Sequence, residues 1–96
     1  MPTYVVLSNY TDQGIRTIKD ASKRIQNMKN VVEKAGGKLV ASYSLMGQYD
    51  RIMIMEAPND DVAATVVLSM GVLGNTRTTT MKAWTNEEFI KIVSKL

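Results

Sequence analysis

The chain has 96 residues, of which 45% are hydrophobic, and its 12 basic and 9 acidic side chains give a formal net charge of +3. This length predicts a single domain spanning residues 1–96, with enough apolar residues to form a core. The chain has no cysteine and no histidine, which excludes disulfides, iron–sulfur clusters and Cys-ligated zinc and removes the commonest general base. We expect no cofactor, since haem would have only tyrosine as an axial ligand. An all-oxygen metal site from Asp50, Asp60 and Asp61 is conceivable, but helix capping accounts for Asp60 and Asp61, so we expect no metal site.

The N-terminal segment and the distribution of apolar residues indicate where the protein resides. No stretch approaches the ~20 apolar residues that a membrane span requires. Met1-Pro2-Thr3-Tyr4 places no basic residues ahead of Val5-Val6-Leu7, unlike a signal peptide. We expect a cytoplasmic protein without a membrane partner.

The first half of the chain predicts a strand, a helix and a second strand. Residues 3–9 are rich in β-branched side chains, and from residue 15 to residue 35 the apolar residues recur at helical spacing. Gly36 and Gly37 end this helix. The second strand covers residues 38–46, and alternation places on one of its faces Leu39, Ala41, Tyr43 and Leu45.

The second half predicts two strands that alternate with two helices. Residues 47–50, with Gly47 as the turn residue, connect the second strand to a third that ends at Glu56, in an antiparallel hairpin. Asn59, Asp60 and Asp61 cap a helix that runs to Met70. A threonine-rich strand at residues 75–83 suits a sheet edge, and a capping box at residues 85–88 opens a short last helix.

Two of these strands are apolar on both faces. In the run Arg51-Ile52-Met53-Ile54-Met55-Glu56, isoleucines point one way and methionines the other, and Tyr4-Val5-Val6-Leu7 behaves similarly. Such strands must be covered on both sides. The order βαββαβ followed by a helix predicts a ferredoxin-like α+β fold, with a four-stranded antiparallel sheet and helices on one face. Right-handed crossovers place the two doubly apolar strands at its centre.

The sheet face without helices predicts an assembly. We expect this face to carry Tyr4 or Val5, Val6 or Leu7, Met53, Met55 and Tyr43. A patch of that size is unusual on a monomer, so a second copy of the chain is the predicted cover, giving a homodimer or a higher oligomer. The alternative is that the C-terminal helix folds across the face of its own sheet.

Several segments resemble the GYD-domain family of small prokaryotic proteins, and together they run through nearly the whole chain. They are Thr11-Asp12-Gln13-Gly14-Ile15-Arg16, Gly36-Gly37-Lys38-Leu39-Val40, Gly47-Gln48-Tyr49-Asp50, Glu56-Ala57-Pro58, Gly74-Asn75-Thr76-Arg77-Thr78 and Ala83-Trp84. The resemblance implies membership of the dimeric α+β-barrel group, in which two ferredoxin-like sheets pair. It implies no particular reaction, because fold-level relatives include cofactor-free oxygenases, isomerases, haem proteins and ligand-sensing domains.

Tyr49 and Asp50 are the first candidates for catalytic or ligand-binding residues. A phenol and a carboxylate at a pocket mouth could orient a ligand or transfer a proton. The alternative is a purely structural hairpin, in which Asp50 accepts hydrogen bonds from turn amides and Tyr49 packs its ring.

Glu56, Arg16 and Arg77 form a second group of candidates. Glu56 ends an apolar strand, where partial desolvation would favour an acid–base role. Arg16 is expected in the first turn of the predicted helix, where the macrodipole disfavours a cation. Arg77 is isolated among threonines. Each arginine could bind an anionic ligand, or either could pair with Glu56.

The remaining candidates would line an apolar pocket, and they lead to three functional hypotheses. Tyr4, Tyr43, Trp84 and the methionines suit an apolar ligand, although core or dimer contacts are their commoner role. We expect a homodimer that binds a small molecule between sheet and helices. The alternatives are a cofactor-independent oxygenase or isomerase, and a nucleic-acid-associated module that uses the basic first helix. The third is disfavoured because no aromatic residues interleave with those charges.

Overall fold

The computed structural model describes residues 1–96 and contains one antiparallel sheet with helices on one face. The strands are β1 (Thr3–Tyr10), β2 (Lys38–Ser44), β3 (Arg51–Glu56) and β4 (Thr76–Ala83), and the helices are α1 (Asp12–Arg16), α2 (Ala21–Lys34), α3 (Asp60–Gly71) and α4 (Asn86–Val93). The strand order β2-β3-β1-β4 confirms the predicted ferredoxin-like α+β fold. The doubly apolar strands are central, and the threonine-rich β4 is an edge.

The predicted long first helix is in fact broken after Arg16. Thr17 leaves the helical conformation, with φ −109° and ψ 28°, and a 3-10 turn at Ile18–Asp20 precedes α2. The Thr17 hydroxyl donates to the carbonyl oxygen of Gln13 at 2.7 Å, which satisfies one of the carbonyls at the end of α1. Arg16 therefore lies in the last turn of a short helix. The macrodipole favours a cation there, so the predicted electrostatic anomaly does not exist.

The two faces of the sheet follow from the strand register, because directly opposed residues in an antiparallel pair point to the same side. Tyr4 is opposite Met55 and Val6 is opposite Met53, and all four side chains are buried beneath the helices. The expectation that Met53 and Met55 lie on the helix-free face was wrong. That face carries Val5, Leu7, Ile52 and Ile54 instead, all half-buried in the single chain.

A bulge at Val40 changes which residues of β2 share a face. Leu39 is opposite Met55 on the helix-covered side, whereas Ala41 and Tyr43 are opposite Ile54 and Ile52 on the open side. The prediction that Leu39 shares a face with Tyr43 was therefore wrong, since the extra residue reverses the alternation. Tyr43 keeps 64% of its surface exposed.

The core lies between the central strands and the two longer helices. Val32 of α2 and Ala63 and Val66 of α3 are buried in this core. The helix ends follow the sequence signals: Gly36 takes a φ of +85° beyond α2, and the Asn59 side chain accepts a hydrogen bond from the Val62 amide at 2.9 Å. None of the helices is long and apolar enough to cross a membrane.

The C-terminal helix α4 begins with the predicted capping box. The Glu88 amide donates to the Thr85 hydroxyl, and the Thr85 amide donates to the Glu88 carboxylate, which lowers the pKa of Glu88. Every residue of α4 is exposed. The helix therefore does not bury the open face of its own sheet.

Candidate functional site

A cavity of about 110 Å³ lies between the helix-covered face of the sheet and α2, near the C-terminal end of β1. Val6, Met53, Met28 and Met70 contribute much of its apolar lining. The uncharged polar side chains of the lining come mainly from strands and their ends: Ser8, Tyr10, Ser44, Thr76 and Thr78, with Asn27 and Asn75 from outside the sheet. An apolar chamber with a few polar groups is the common form of a small-molecule site.

Arg51 reaches this cavity from the first position of β3. It lies two and four positions before Met53 and Met55 on the same strand, so it shares their helix-covered face. Its cross-strand neighbours are Ser8 on β1 and Ser44 on β2. Its guanidinium donates to the Ser44 hydroxyl at 2.6 Å and also to the Ser42 hydroxyl. Neutral hydroxyls orient the guanidinium without neutralising its charge.

Arg24 reaches the same cavity from α2, on the stripe that also carries Ala21 and Met28. Its Nη1 donates to the Gly14 carbonyl oxygen at 3.1 Å, and its Nη2 contacts the carbonyl and the hydroxyl of Thr17. These bonds tie α2 to the end of α1. As with Arg51, every hydrogen-bond partner is uncharged.

No carboxylate compensates these two cations. The single ion pair of the structure lies elsewhere, between Lys82 Nζ and Asp60 Oδ1 at 3.1 Å. The residues that line the cavity include no aspartate or glutamate. The site therefore combines an apolar interior with two uncompensated positive charges.

The rim of the cavity is built by segment 11–14 against segment 73–75. The Thr11 amide donates to the Asn75 carbonyl at 3.1 Å, and the Thr11 hydroxyl donates to the Gly74 carbonyl at 2.6 Å. Gln13 bonds both the Leu73 carbonyl and the Asn75 side chain. A Cβ on Gly14 would lie 2.0 Å from the Asn75 oxygen, so only glycine permits this approach. These contacts fix Leu73 and Asn75, which line the cavity.

A separate polar cluster of Tyr4, Asp60 and Lys82 lies near the opposite end of β1. The buried Tyr4 hydroxyl donates to Asp60 at the start of α3, and Asp60 also pairs with Lys82. Burial, then the hydrogen bond to Asp60, raises the pKa of Tyr4 to about 12. The hydrogen bonds from Tyr4 and Lys82 lower the pKa of Asp60. The cluster ties α3 to β1 and β4 and does not touch the cavity.

Tyr49 and Asp50 lie in the connection between β2 and β3, both half-buried. Asp50 Oδ2 accepts a hydrogen bond from the Tyr10 amide at 2.9 Å, and the Asp50 amide donates to the Ser8 carbonyl at 2.9 Å. These are the contacts expected of a structural aspartate that holds the connection against β1. Neither residue lines the cavity.

The other four predicted site residues are dispersed. Glu56, Arg77 and Tyr43 lie on the open face of the sheet, on three different strands, and Arg16 is exposed on α1. Glu56 forms no ion pair with either arginine, and no group of three acidic residues is close enough to hold a metal ion. The structure does not bring the predicted residues together at one site.

Sequence reasoning missed Arg24 and Arg51, although both left a signal. Arg51 opens a strand that is apolar on both sides and occupies the same alternating positions as Met53 and Met55. Arg24 falls one position before Ile25 and four before Met28, inside the apolar stripe of its helix. A cation in an otherwise apolar stripe is typical of a functional or paired charge.

The fold and the cavity define a small ferredoxin-like α+β domain with a cavity lined by two arginines. The chain belongs to the GYD domain family, whose model matches residues 4–93. It is 33% identical, over 86% of its length and 88% of the relative's, to a Thermus thermophilus protein described as a glutamine synthetase and cystathionine beta-lyase binding protein.

Two solved structures share the fold at low sequence identity. FFRP-DM1 aligns with a TM-score of 0.61 and 17% identity, over 88% of this chain and all of that one. The leucine response regulatory protein LrpA of Mycobacterium tuberculosis aligns with a TM-score of 0.66 and 15% identity, over 88% of this chain and 51% of its own. At these identities the likeness concerns the fold alone.

Proposed function

We propose that this protein is a homodimeric binding module that holds a small molecule in the cavity between its sheet and helices. The observation that carries the proposal is the pair Arg24 and Arg51, which face a mainly apolar chamber with no carboxylate beside them. Exposing a charge to an apolar chamber costs free energy unless a partner compensates it. A bound ligand would supply that partner.

Binding fits the geometry better than catalysis by an acid–base pair. The carboxylate of Asp50 is engaged with a backbone amide, and Glu56 lies on the opposite face of the sheet. Tyr10 is the one phenol in the cavity lining, and no carboxylate accompanies it. A cofactor-independent oxygenase or isomerase would have to work without a general base in the chamber.

The open sheet face supports the homodimer. Val5, Leu7, Ile52 and Ile54 form an apolar centre there, flanked by the exposed side chains of Tyr43 and Met81. A second copy placed face to face would bury this surface, and complete burial of one such side chain contributes about 1.5–3 kcal/mol.

Helix α4 also supports an assembly. Phe89, Ile92 and Val93 are 55%, 44% and 44% exposed in the single chain. Isolated helices shorter than ~12–15 residues are marginal in water, because packing supplies most of their stability. This eight-residue helix therefore needs a surface to pack on.

A second candidate function is docking on an enzyme. It is favoured by the exposed helix α4 together with the Thermus thermophilus relative, whose name describes binding to two enzymes. Under this hypothesis, full-length protein would co-sediment with purified glutamine synthetase or cystathionine beta-lyase. Phe89→Ser would abolish co-sedimentation, whereas Leu68→Ser, at an exposed apolar position on α3, would leave it intact. If the wild-type protein co-sediments with neither enzyme, this hypothesis is eliminated.

The small-molecule hypothesis is tested by thermal shift of the purified protein against a broad panel of metabolites. A ligand that binds the native state stabilises it by RT ln(1 + [L]/Kd), or about 2.7 kcal/mol at a hundredfold excess over Kd. We expect at least one compound to raise the melting temperature in the wild type and not in Arg51→Met. A panel without any stabilising compound would refute the proposal.

A further inference from the structure

We infer that the cavity recognises a compact organic oxyanion, meaning an apolar body that carries one carboxylate or phosphate group bound at Arg51, with Arg24 supplying a second positive charge to the same cavity. The inference rests on the proposed binding function and specifies the chemistry of the ligand. It follows from three features of the chamber: its charge, its free hydrogen-bond donors and its apolar interior.

The charge of the chamber selects an anion. Arg24 and Arg51 both contribute guanidinium groups to the cavity lining, which contains no acidic residue. Both side chains are half-buried, so solvent compensates them less than it would at an exposed site. A cationic ligand would be repelled, and a neutral one would leave both charges as they are.

The free donors of the two guanidinium groups fit an oxyanion. Every hydrogen bond that either arginine makes to the protein comes from an Nη atom, and the Nε–H groups have no protein partner. The fork of Nε–H and Nη–H matches the two oxygens of a carboxylate or the oxygens of a phosphate. Ser42 and Ser44 hold the Arg51 fork, and the carbonyls of Gly14 and Thr17 hold the Arg24 fork, so the donors are oriented before any ligand arrives.

The apolar lining and the volume of the cavity determine which apolar groups can accompany the anion. Methionines from a strand and two helices, Met28, Met53 and Met70, line the chamber with Val6 and Leu73. Flexible thioether side chains adapt to aliphatic groups of different shape. A volume of about 110 Å³ lies below the roughly 300–1,000 Å³ of sites for drug-sized ligands, so the ligand must be compact, such as a short branched or small aromatic acid, and a nucleotide is too large.

The test compares acids with their neutral isosteres on the full-length wild-type protein by isothermal titration calorimetry. The panel contains straight, branched and aromatic carboxylates of three to nine carbons, the amide of each one, and the monoalkyl phosphates of matching chain length. 3-Methylbutanoate with 3-methylbutanamide is a representative pair. Inorganic phosphate alone is included, so that binding of the bare ion is distinguished from binding of the organic anion.

We expect at least one acid or alkyl phosphate to bind and its neutral counterpart to show no heat of binding. Arg51→Met should weaken the interaction about tenfold or more, the effect of losing a hydrogen bond to a charged group. Arg51→Lys should lie between the two, because it keeps the charge and loses the fork. The matched control is Lys23→Met on the exposed side of α2, which should bind as the wild type does.

The possible results distinguish failure of the oxyanion inference from failure of the proposed small-molecule function. If an amide or another neutral compound binds as tightly as its acid, or if Arg51→Met binds the acid unchanged while its circular dichroism is native, the oxyanion inference fails and the small-molecule function stands. Binding of inorganic phosphate alone, with no organic anion tighter, also overturns the inference. If no compound of any charge binds, both fail.

Discussion

The hydroxyl of Tyr4 donates a hydrogen bond to the carboxylate of Asp60, joining the first central strand to the first turn of α3 across 56 positions of sequence. Tyr4 is 4% exposed. Asp60 accepts a second contact from Lys82 on β4. This link fixes the start of α3 over the sheet, at the end of the domain away from the cavity, and it makes the stability of the fold sensitive to pH at both extremes.

At alkaline pH the ionisation of Tyr4 should destabilise the fold. Its pKa is raised from 10.0 to about 12, so the unfolded chain loses this proton first. The resulting stability is fully present below pH 10 and is lost as the pH rises to about 12, and a two-unit shift corresponds to roughly 2–3 kcal/mol. Urea unfolding of wild type and Tyr4→Phe between pH 8 and 12 should show the wild-type advantage shrinking. A difference that stays constant over this range would contradict the assignment.

At acidic pH the protonation of Asp60 should destabilise the fold. The hydrogen bonds from Tyr4 and Lys82 lower its pKa in the native state. Its contribution is present above the unfolded value of 3.8 and is lost as the pH falls through the lower native value. Asp60→Asn should flatten the acid limb of stability measured by urea unfolding, whereas Asp61→Asn in the same helical turn should leave that limb unchanged. Equal effects from both variants would point to the helix dipole instead.

Gly14→Ala should destabilise the fold, because its Cβ would lie 2.0 Å from the backbone oxygen of Asn75. Overpacking of this kind costs about 1–3 kcal/mol or more. The matched control is Gly71→Ala, at the end of α3, where a Cβ meets no atom within 4 Å. That substitution should stabilise by about 0.4–1 kcal/mol. Urea midpoints measure both, and a neutral Gly14→Ala would show that the rim between segments 11–14 and 73–75 is loose.

Ile54→Lys should dissociate the proposed dimer. Ile54 is opposite Val5 and Ala41 at the centre of the open sheet face, where a buried unpaired cation is costly. In a lone subunit the lysine could reach solvent, so the fold should survive. Sedimentation velocity at micromolar concentration should give a dimer for the wild type and for Leu68→Lys on the outer side of α3, and a monomer for Ile54→Lys. A wild-type monomer would remove the proposed assembly.

The strand order could be predicted from the sequence, because two strands apolar on both sides must be central and a threonine-rich one suits an edge. Which face each residue takes could not. Methionine and isoleucine are equally acceptable inside, so nothing local decides whether Met53 or Ile54 faces the helices. The bulge at Val40 likewise leaves little trace in the alternation of β2.

The site was harder to predict than the fold, because its parts meet only in three dimensions. Tyr49 and Asp50 were predicted as site residues from a sequence motif, but Asp50 bonds the Tyr10 amide and so fixes the β2–β3 connection against β1. Arg24 shares the inward stripe of α2 with Ala21 and Met28, but a lone cation on a helix rich in lysines is easily read as part of its solvated face. Arg51 was hidden because a charge at the end of a strand normally lies in solvent, and only the register with Ser8 and Ser44 places it over the cavity.

The most direct measurement is a crystal structure of the full-length protein with the tightest-binding acid of the panel. We expect electron density for the acid in the cavity, with the anionic group on the Nε and Nη atoms of Arg51 and the apolar part against Met28, Met53 and Met70. Density for that acid on the open face of the sheet or on α4, with the chamber empty, would contradict the central claim.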